Sequence, residues 1–219
     1  MNDLLIPSYQ EGLKELRNNL SSMLPTDILE VFDTDAAALQ ENHKDILQVN
    51  VGDKAPDFSL PNATGNPVSL YDVLKQERVV LTFYRGTWCP YCNLALNQYQ
   101  QVLNEIKSVG ATLVAISPQT PDESLNIQQK NELRFEVLSD SGNIVARQFT
   151  TVFKNAEKPL AAMAGLGIDY DSHYSDDSRE LPVPATFIIE QDGTVSFAQS
   201  EGGDYRNRVE AAAILQALS

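Results

Sequence analysis

Leu13, Leu16, Leu20 and Leu24 recur at three- and four-residue intervals, a stripe that predicts an amphipathic helix ending where Pro25-Thr26 interrupts the run. A second segment, Asp27 to Leu47, reads as helical too, so residues 1–50 form a helical extension of two or three segments whose apolar faces need a partner surface. Packing against its own chain meets that need, and so would a homodimer interface.

From Val51 the texture changes to short apolar runs separated by turn signals. Phe58 to Leu60 is strand-like, Asn62 to Pro67 a loop, and Ser69 a helix cap before "LYDVLKQ". "RVVLTFY", β-branched and aromatic between charges, predicts a buried central strand, and "LALNQYQQVLNEIKSVG" predicts a helix closed by Gly110. "ATLVAIS" is the next strand, "TPDESLNIQQKNEL" a helix opened by Thr120 with Pro121 in its first turn, "RFEVLSD" a strand and "NIVARQF" a short helix. Such alternation argues for βαβ units around a parallel sheet core. Thr150 to Leu181 breaks the rhythm and reads as an insertion or a covering loop. "ATFIIEQDGTVSFAQ" is a hairpin about Asp192-Gly193, and "RVEAAAILQALS" a closing amphipathic helix.

Composition narrows the function classes. The chain has 219 residues, 42% hydrophobic and 21% charged, enough to bury a sizeable core. Its formal charge of −14 would repel phosphate backbones and anionic lipid headgroups, so neither nucleic acid nor a membrane is an expected partner. No window approaches a membrane-spanning run, and "MNDLLIPSYQEG" lacks the basic and apolar regions of a signal peptide, so a soluble, cytoplasmic protein is expected. The extension is itself acidic, with nine acidic against three basic residues in its 50.

Both cysteines of the chain, Cys89 and Cys92, lie in "LTFYRGTWCPYCNLAL". Two cysteines cannot build a secreted disulfide framework, and a C-x-x-C suits a reactive role in a reducing compartment. A zinc site would need two further ligands, and the only histidines, His43 and His173, stand apart in the sequence and read as lone exposed side chains. No metal and no organic cofactor are implied. With a strand before and a helix after, Cys89 sits at a strand-to-helix turn, beside unpaired N–H groups and the positive end of the helix dipole. That position predicts a lowered pKa for Cys89, while Cys92, one turn inside, stays protonated and shielded. The i, i+3 spacing puts both sulfurs on one face, so Cys89 attacks and Cys92 resolves. Pro90 preorganises the first turn. Arg85 either adds positive potential or lies on the surface, and Trp88 is either a lid over the pair or a core-edge aromatic. In "LPVPATFII" a cis Val183-Pro184 bond would turn the chain tightly into a strand. Tyr205, Arg206, Arg208 and Glu210 read as a salt-bridged helix start.

"TFYRGTWCPYC" with "VPATFII" resembles the thioredoxin superfamily, and the run from "VGDKAPDFSL" through "PATFIIEQDGTV" resembles more narrowly the alkyl hydroperoxide reductase and thiol-specific antioxidant superfamily. Most similar are its peroxiredoxin-like members with a thioredoxin-type C-x-x-C, whose closing segment resembles "DYRNRVE". The likeness spans Val51 to Ser219 and implies a thioredoxin-like, peroxiredoxin-type α/β fold, a central mixed sheet flanked by helices, with residues 1–50 outside it. It implies a thiol-based antioxidant oxidoreductase, with Pro184 shaping the substrate groove and a thioredoxin or glutathione system supplying electrons.

Three departures stand out. Peroxiredoxins place a proline and a Thr or Ser at set distances before the reactive cysteine, where this chain has Arg85 and Gly86, and Pro184 takes the place of their distal arginine. Thr82 falls where thioredoxins bury a carboxylate, and the Pro-Tyr between the cysteines is that of glutaredoxins. Thr87 and Arg85 are the residues at hand to replace the missing donors. Two substrates therefore stand open, a hydroperoxide or a disulfide, beside a non-enzymatic module that uses the cysteines as a redox switch.

Overall fold

The computed structural model describes residues 6–219; the reading of the opening residues as free of a leader falls partly on residues 1–5, outside that range. Two helices come first, α1 (Tyr9–Met23) and α2 (Thr26–Asn42), separated at Pro25 where the apolar stripe breaks. β1 (Ser59–Pro61) and β2 (Pro67–Ser69) pair antiparallel, and Ser69 opens α3 (Leu70–Leu74). β3 (Arg78–Phe83) leads to α4 (Pro90–Gln101) and α5 (Leu103–Ser108); the single helix expected through Gly110 is two, because Val102 at φ −102°, ψ 11° leaves the helical region. β4 (Ala111–Ser117), α6 (Pro121–Lys130) and β5 (Glu136–Ser139) follow where the pattern places them, with the Thr120 hydroxyl accepting the Glu123 N–H. The short helix at Asn143–Phe149 starts late, as α7 (Ala146–Phe149), after a 3-10 turn at Ser141–Asn143.

Residues 150–181 are more than a loop. They hold β6 (Val152–Lys154), α8 (Glu157–Gly165) and β7 (Glu180–Pro182), with the two strands paired antiparallel. The hairpin of β8 (Ala185–Ile189) and β9 (Val195–Gln199) turns at Gly193, whose φ of 84° suits glycine. α9 (Ala211–Leu218) is the last element. No helix among the described residues is long and apolar enough to cross a membrane.

The main sheet has the order β5-β4-β3-β8-β9, parallel on the β5 side of β3 and antiparallel on the β8 side, so it is mixed rather than wholly parallel. Alternation along β3 sends Val79, Leu81 and Phe83 to one face, where Phe149 and Phe187 join them, and Val80 and Tyr84 to the other. Helices α4, α5 and α9 cover that second face. The chain leaves β3 at its carboxyl end and enters α4 there, which sets the two cysteines at the edge of the parallel strands.

α1 packs along α4 and α2 against α8. Leu13, Leu16, Leu20 and Phe32 lie against the core, so the apolar stripe of the extension is taken up by its own chain. The segment between β9 and α9 is the clasp: the Glu210 carboxylate accepts the N–H groups of Tyr9 and Gln10 at 2.7 and 3.0 Å, and Asp33 takes Arg17 and Arg206. Gly203 lies so close to α2 that a Cβ there would be 2.1 Å from the Leu39 carbonyl oxygen. Gly203→Ala therefore forces α2 from its seat, with an expected loss of about 1–3 kcal/mol. A thermal melt of the reduced protein reads this as a fall of several degrees, roughly 2–4 °C per kcal/mol for a chain of this size. An unchanged midpoint would show that the clasp carries no stability.

Candidate active site

Cys89 is the N-cap residue of α4, with Pro90 in the first turn, and its carbonyl accepts from the N–H groups of Cys92 and Asn93 at 3.1 Å each. The Asn93 side chain ties the turn further, donating to the carbonyls of Thr87 and Cys89 at 2.8 Å. Both cysteines are free thiols and both are buried, Cys89 at 1% exposure and Cys92 at 0%.

The group that controls them comes from the other end of the chain. Arg208 is 6% exposed, and its Nη2 lies 2.9 Å from Cys92 Sγ and 4.0 Å from Cys89 Sγ. Its Nη1 donates to the carbonyls of Tyr205 and Asn207 at 2.6 Å each, which fixes the fork. Burial raises the cost of charge on Cys92, yet a hydrogen bond from Cys89, the Arg208 charge and the Arg85 backbone N–H outweigh it and hold the Cys92 thiol well below its ordinary range. Burial and the neighbouring charge push Cys89 the other way, against the pull of Arg85 and Arg208. The expectation of a lowered Cys89 and a protonated Cys92 is reversed in direction: Cys92, beside Arg208, is the thiol held down, and Cys89 the one pushed up. The reason is tertiary, since Arg208 reaches Cys92 first.

Arg85, 4% exposed, is a buried site residue rather than a surface one. Its guanidinium lies between the rings of Tyr205 and Trp88, at 4.0 and 4.9 Å from their centroids. Nη2 reaches Asn155 Oδ1 only at 3.4 Å, and buried Nε has no partner. Trp88 packs beside this site: its indole N–H donates to Tyr174 Oη at 2.8 Å and its ring lies 5.5 Å from Tyr170. Gly86 makes this possible, because a Cβ there would sit 2.6 Å from Trp88 Nε1. Tyr170 and Tyr174 belong to the segment between α8 and β7, which thus packs against Trp88.

An apolar chamber of about 360 Å³ opens onto Cys89. The extension supplies Leu20, Leu24, Leu29 and Phe32 to its wall, and α8 supplies Leu160 and Met163. Arg85 and Asn155 are the polar side chains there besides the aromatic hydroxyls and the Cys89 thiol, and Cys92 does not border it.

Two supporting expectations change. No cis peptide bond occurs among the described residues, so Val183-Pro184 is trans. The Thr150 hydroxyl donates to the Val183 carbonyl and the Val183 N–H to the Thr151 carbonyl, which ties the segment before Pro184 to the end of α7. Pro184 is buried, its carbonyl accepting from Ser200, and does not border the chamber. The Thr87 hydroxyl donates to Glu123 at 2.8 Å and accepts from Gln119, so it anchors the loop to α6. His173 is not a lone side chain, since its Nδ1 lies 2.8 Å from the same Glu123 carboxylate, and His43 packs on Phe153. Thr82, in place of a buried acid, meets the Thr186 hydroxyl at 3.1 Å.

Sequence reasoning missed Arg208. It treated residues 205–210 as a helix start, whereas α9 begins at Ala211 and the cluster divides between the cysteines, α1 and α2. The available signal was the likeness of "DYRNRVE" to a closing segment of C-x-x-C peroxiredoxin-like proteins.

A dithiol at a strand-to-helix turn, on this sheet, defines a thiol-dependent oxidoreductase of thioredoxin-type fold. The AhpC/TSA family model matches residues 51–198, and the chain belongs to that family as a peroxiredoxin-like member. It is 30% identical to "Putative peroxiredoxin MT2597" of Mycobacterium tuberculosis over 148 residues, 68% of this chain and 83% of that one. It is 33% identical to peroxiredoxin Bcp of Escherichia coli over 101 residues, 46% of this chain and 64% of that one. Among solved structures, peroxidoxin BcpB of Mycobacterium tuberculosis superposes with a TM-score of 0.60 at 25% identity, covering 78% of this chain and 96% of that one. Residues 6–50 precede the matched part, and so do the chamber walls they build.

Replacing Arg208 removes the only guanidinium within hydrogen-bond distance of Cys92 among the described residues. In the native protein the ultraviolet absorbance of the thiolate persists through neutral pH and is lost only well below the ordinary thiol pKa of about 8.5. Arg208→Met moves that loss up toward the ordinary value, by one unit for each 1.36 kcal/mol of lost charge stabilisation. Identical absorbance profiles for the two proteins would remove Arg208 from this role.

Proposed function

We propose that the protein is a thiol peroxidase in which Cys89 attacks a hydroperoxide and Cys92 resolves the product. The observation that carries this is the division of labour between the sulfurs: Cys89 borders the chamber with Arg85, while Cys92 lies behind it against Arg208. The Cys89 proton passes to Cys92, leaving a Cys89 thiolate facing the peroxide. An S–O bond forms as the O–O bond breaks, the sulfur is oxidised by two electrons to a sulfenic acid, and the other peroxide oxygen leaves as an alkoxide that takes the proton from Cys92. Arg85, with an unpartnered Nε–H and a charge held between two rings, is the donor placed to stabilise the departing oxygen. The Cys92 thiolate, held by Arg208, then attacks the sulfenic sulfur to form the disulfide, releasing hydroxide that solvent protonates to water.

A small oxidant suits a sulfur that is 1% exposed better than a protein disulfide does, which favours peroxide reduction over disulfide exchange. A thioredoxin or glutathione system returns the electrons to the Cys89-Cys92 disulfide, in a reducing, cytoplasmic compartment. The site is complete within one chain, so this reading does not need a homodimer.

Stopped-flow oxidation of the reduced protein tests the reading. The native protein consumes one peroxide and two thiols, with a rate constant above that of free cysteine. Cys89→Ser abolishes the reaction, and Cys92→Ser leaves a sulfenic acid on Cys89 that a dione reagent traps and mass spectrometry locates. A native rate no higher than that of free cysteine, or a trapped sulfenic acid on Cys92 in the Cys89→Ser protein, would sink it.

A further inference from the structure

α6 holds the cysteine turn at both of its ends. Near its start the Glu123 carboxylate takes the Thr87 hydroxyl at 2.8 Å, and at its close Asn131 reaches across to α4. Asn93 and Asn97 stand one helical turn apart on α4, and Asn131 fits between them. Its NH2 group donates to Asn93 Oδ1 at 2.8 Å and to the Ile127 carbonyl at 3.1 Å, while its Oδ1 accepts from Asn97 at 2.8 Å.

The direction of this relay follows from its ends. A backbone carbonyl only accepts, so Ile127 turns the NH2 group of Asn131 to the side where Asn93 also lies. Asn93 must then offer its oxygen to Asn131 and its own NH2 group to the carbonyls of Thr87 and Cys89, which likewise only accept. Neither amide turns over without setting acceptors face to face. The backbone holds the placement at a cost, since the residue after Asn131, Glu132, has a left-handed φ of 50°.

We propose that Asn131 is a positioning residue for Cys89, acting through Asn93, which lies 38 positions away in the chain. This rests on the reading above, in which Cys89 attacks, and adds what aims that sulfur. The Cys89 carbonyl takes the N–H groups of Cys92 and Asn93 as well as the Asn93 side chain. One NH2 group on the Thr87 and Cys89 carbonyls fixes two of the peptide planes around Cys89, and with them the direction of its side chain. The hydrogen bond from Cys89 that helps to hold the Cys92 thiol down depends on that direction. Neither asparagine carries a charge or lines the chamber, so both act by placement. An Asn131 that merely ties α6 to α4 would leave the sulfurs unaltered.

A double-variant cycle, read by the ultraviolet absorbance of the thiolate, separates the two roles and does not depend on what oxidises the protein. Asn93→Ala and Asn131→Ala each move the pH at which the thiolate is lost upward by roughly half a unit to one unit, the worth of one hydrogen bond. The double variant moves it no further than Asn93→Ala alone, because Asn131 acts on the sulfurs through Asn93. A native profile in a folded Asn131→Ala protein overturns the proposal, and so do shifts that add in the double variant. Asn131→Ser keeps a small polar cap on α6 but is too short to reach Asn93, and it replaces the alanine variant in the cycle should that one not fold. Hydrogen peroxide oxidation by stopped flow is compared across the same proteins, and its rate constant falls roughly 10-fold or more where the profile shifts. Shifted profiles with an undiminished rate, well above that of free cysteine, also overturn the proposal. A native rate no higher than that of free cysteine sinks the peroxidase reading alone, and the absorbance cycle still decides the role of Asn131.

Discussion

The contact between Arg208 and Cys92 is the constraint around which the rest is arranged. A guanidinium that is 6% exposed is costly to bury unless its donors are taken up and its charge is met. Two backbone carbonyls take Nη1, and the Cys92 sulfur meets the charge at 2.9 Å. The same contact holds the Cys92 thiol down against burial, which pushes both sulfurs up. Reactivity and packing therefore rest on one geometry, set by residues 116 positions apart in the chain.

Holding that geometry is the work of the extension. Tyr9, wholly buried, donates its hydroxyl to the Arg206 carbonyl, while Tyr205 donates to the Phe32 carbonyl. Arg208 is thus placed by a segment clamped between α1 and α2. These helices also line the chamber that Cys89 borders, so the part of the molecule that positions Arg208 also shapes the space beside Cys89. Arg85 completes the second half of the arrangement, its charge kept between Trp88 and Tyr205 with no nearby ion pair among the described residues.

The elements that were legible in the chain are those whose signals are local. β3 and β4 are dense β-branched runs, α6 has its Thr120 cap and Pro121 start, and Gly193 turns the β8–β9 hairpin. The C-x-x-C likewise declares itself by spacing and by the strand and helix around it. Less legible were features that depend on a distant partner. The segment before Pro184 is tied by Thr150 and Thr151, and neither threonine is near it in sequence. Residues 150–181 look irregular as a string, yet β6 and β7 pair across α8 and bring Tyr170 and Tyr174 to Trp88.

What the sequence by itself determined is the chemistry, a dithiol at a strand-to-helix turn, because hydrophobic period, caps and cysteine spacing are all set within a few residues. Only the tertiary structure decided which sulfur meets Arg208 and what lies beside the other. Those depend on where Arg208, Arg85, Phe32 and Met163 meet in space, and contacts between residues so far apart in the chain are fixed by packing, not by local pattern.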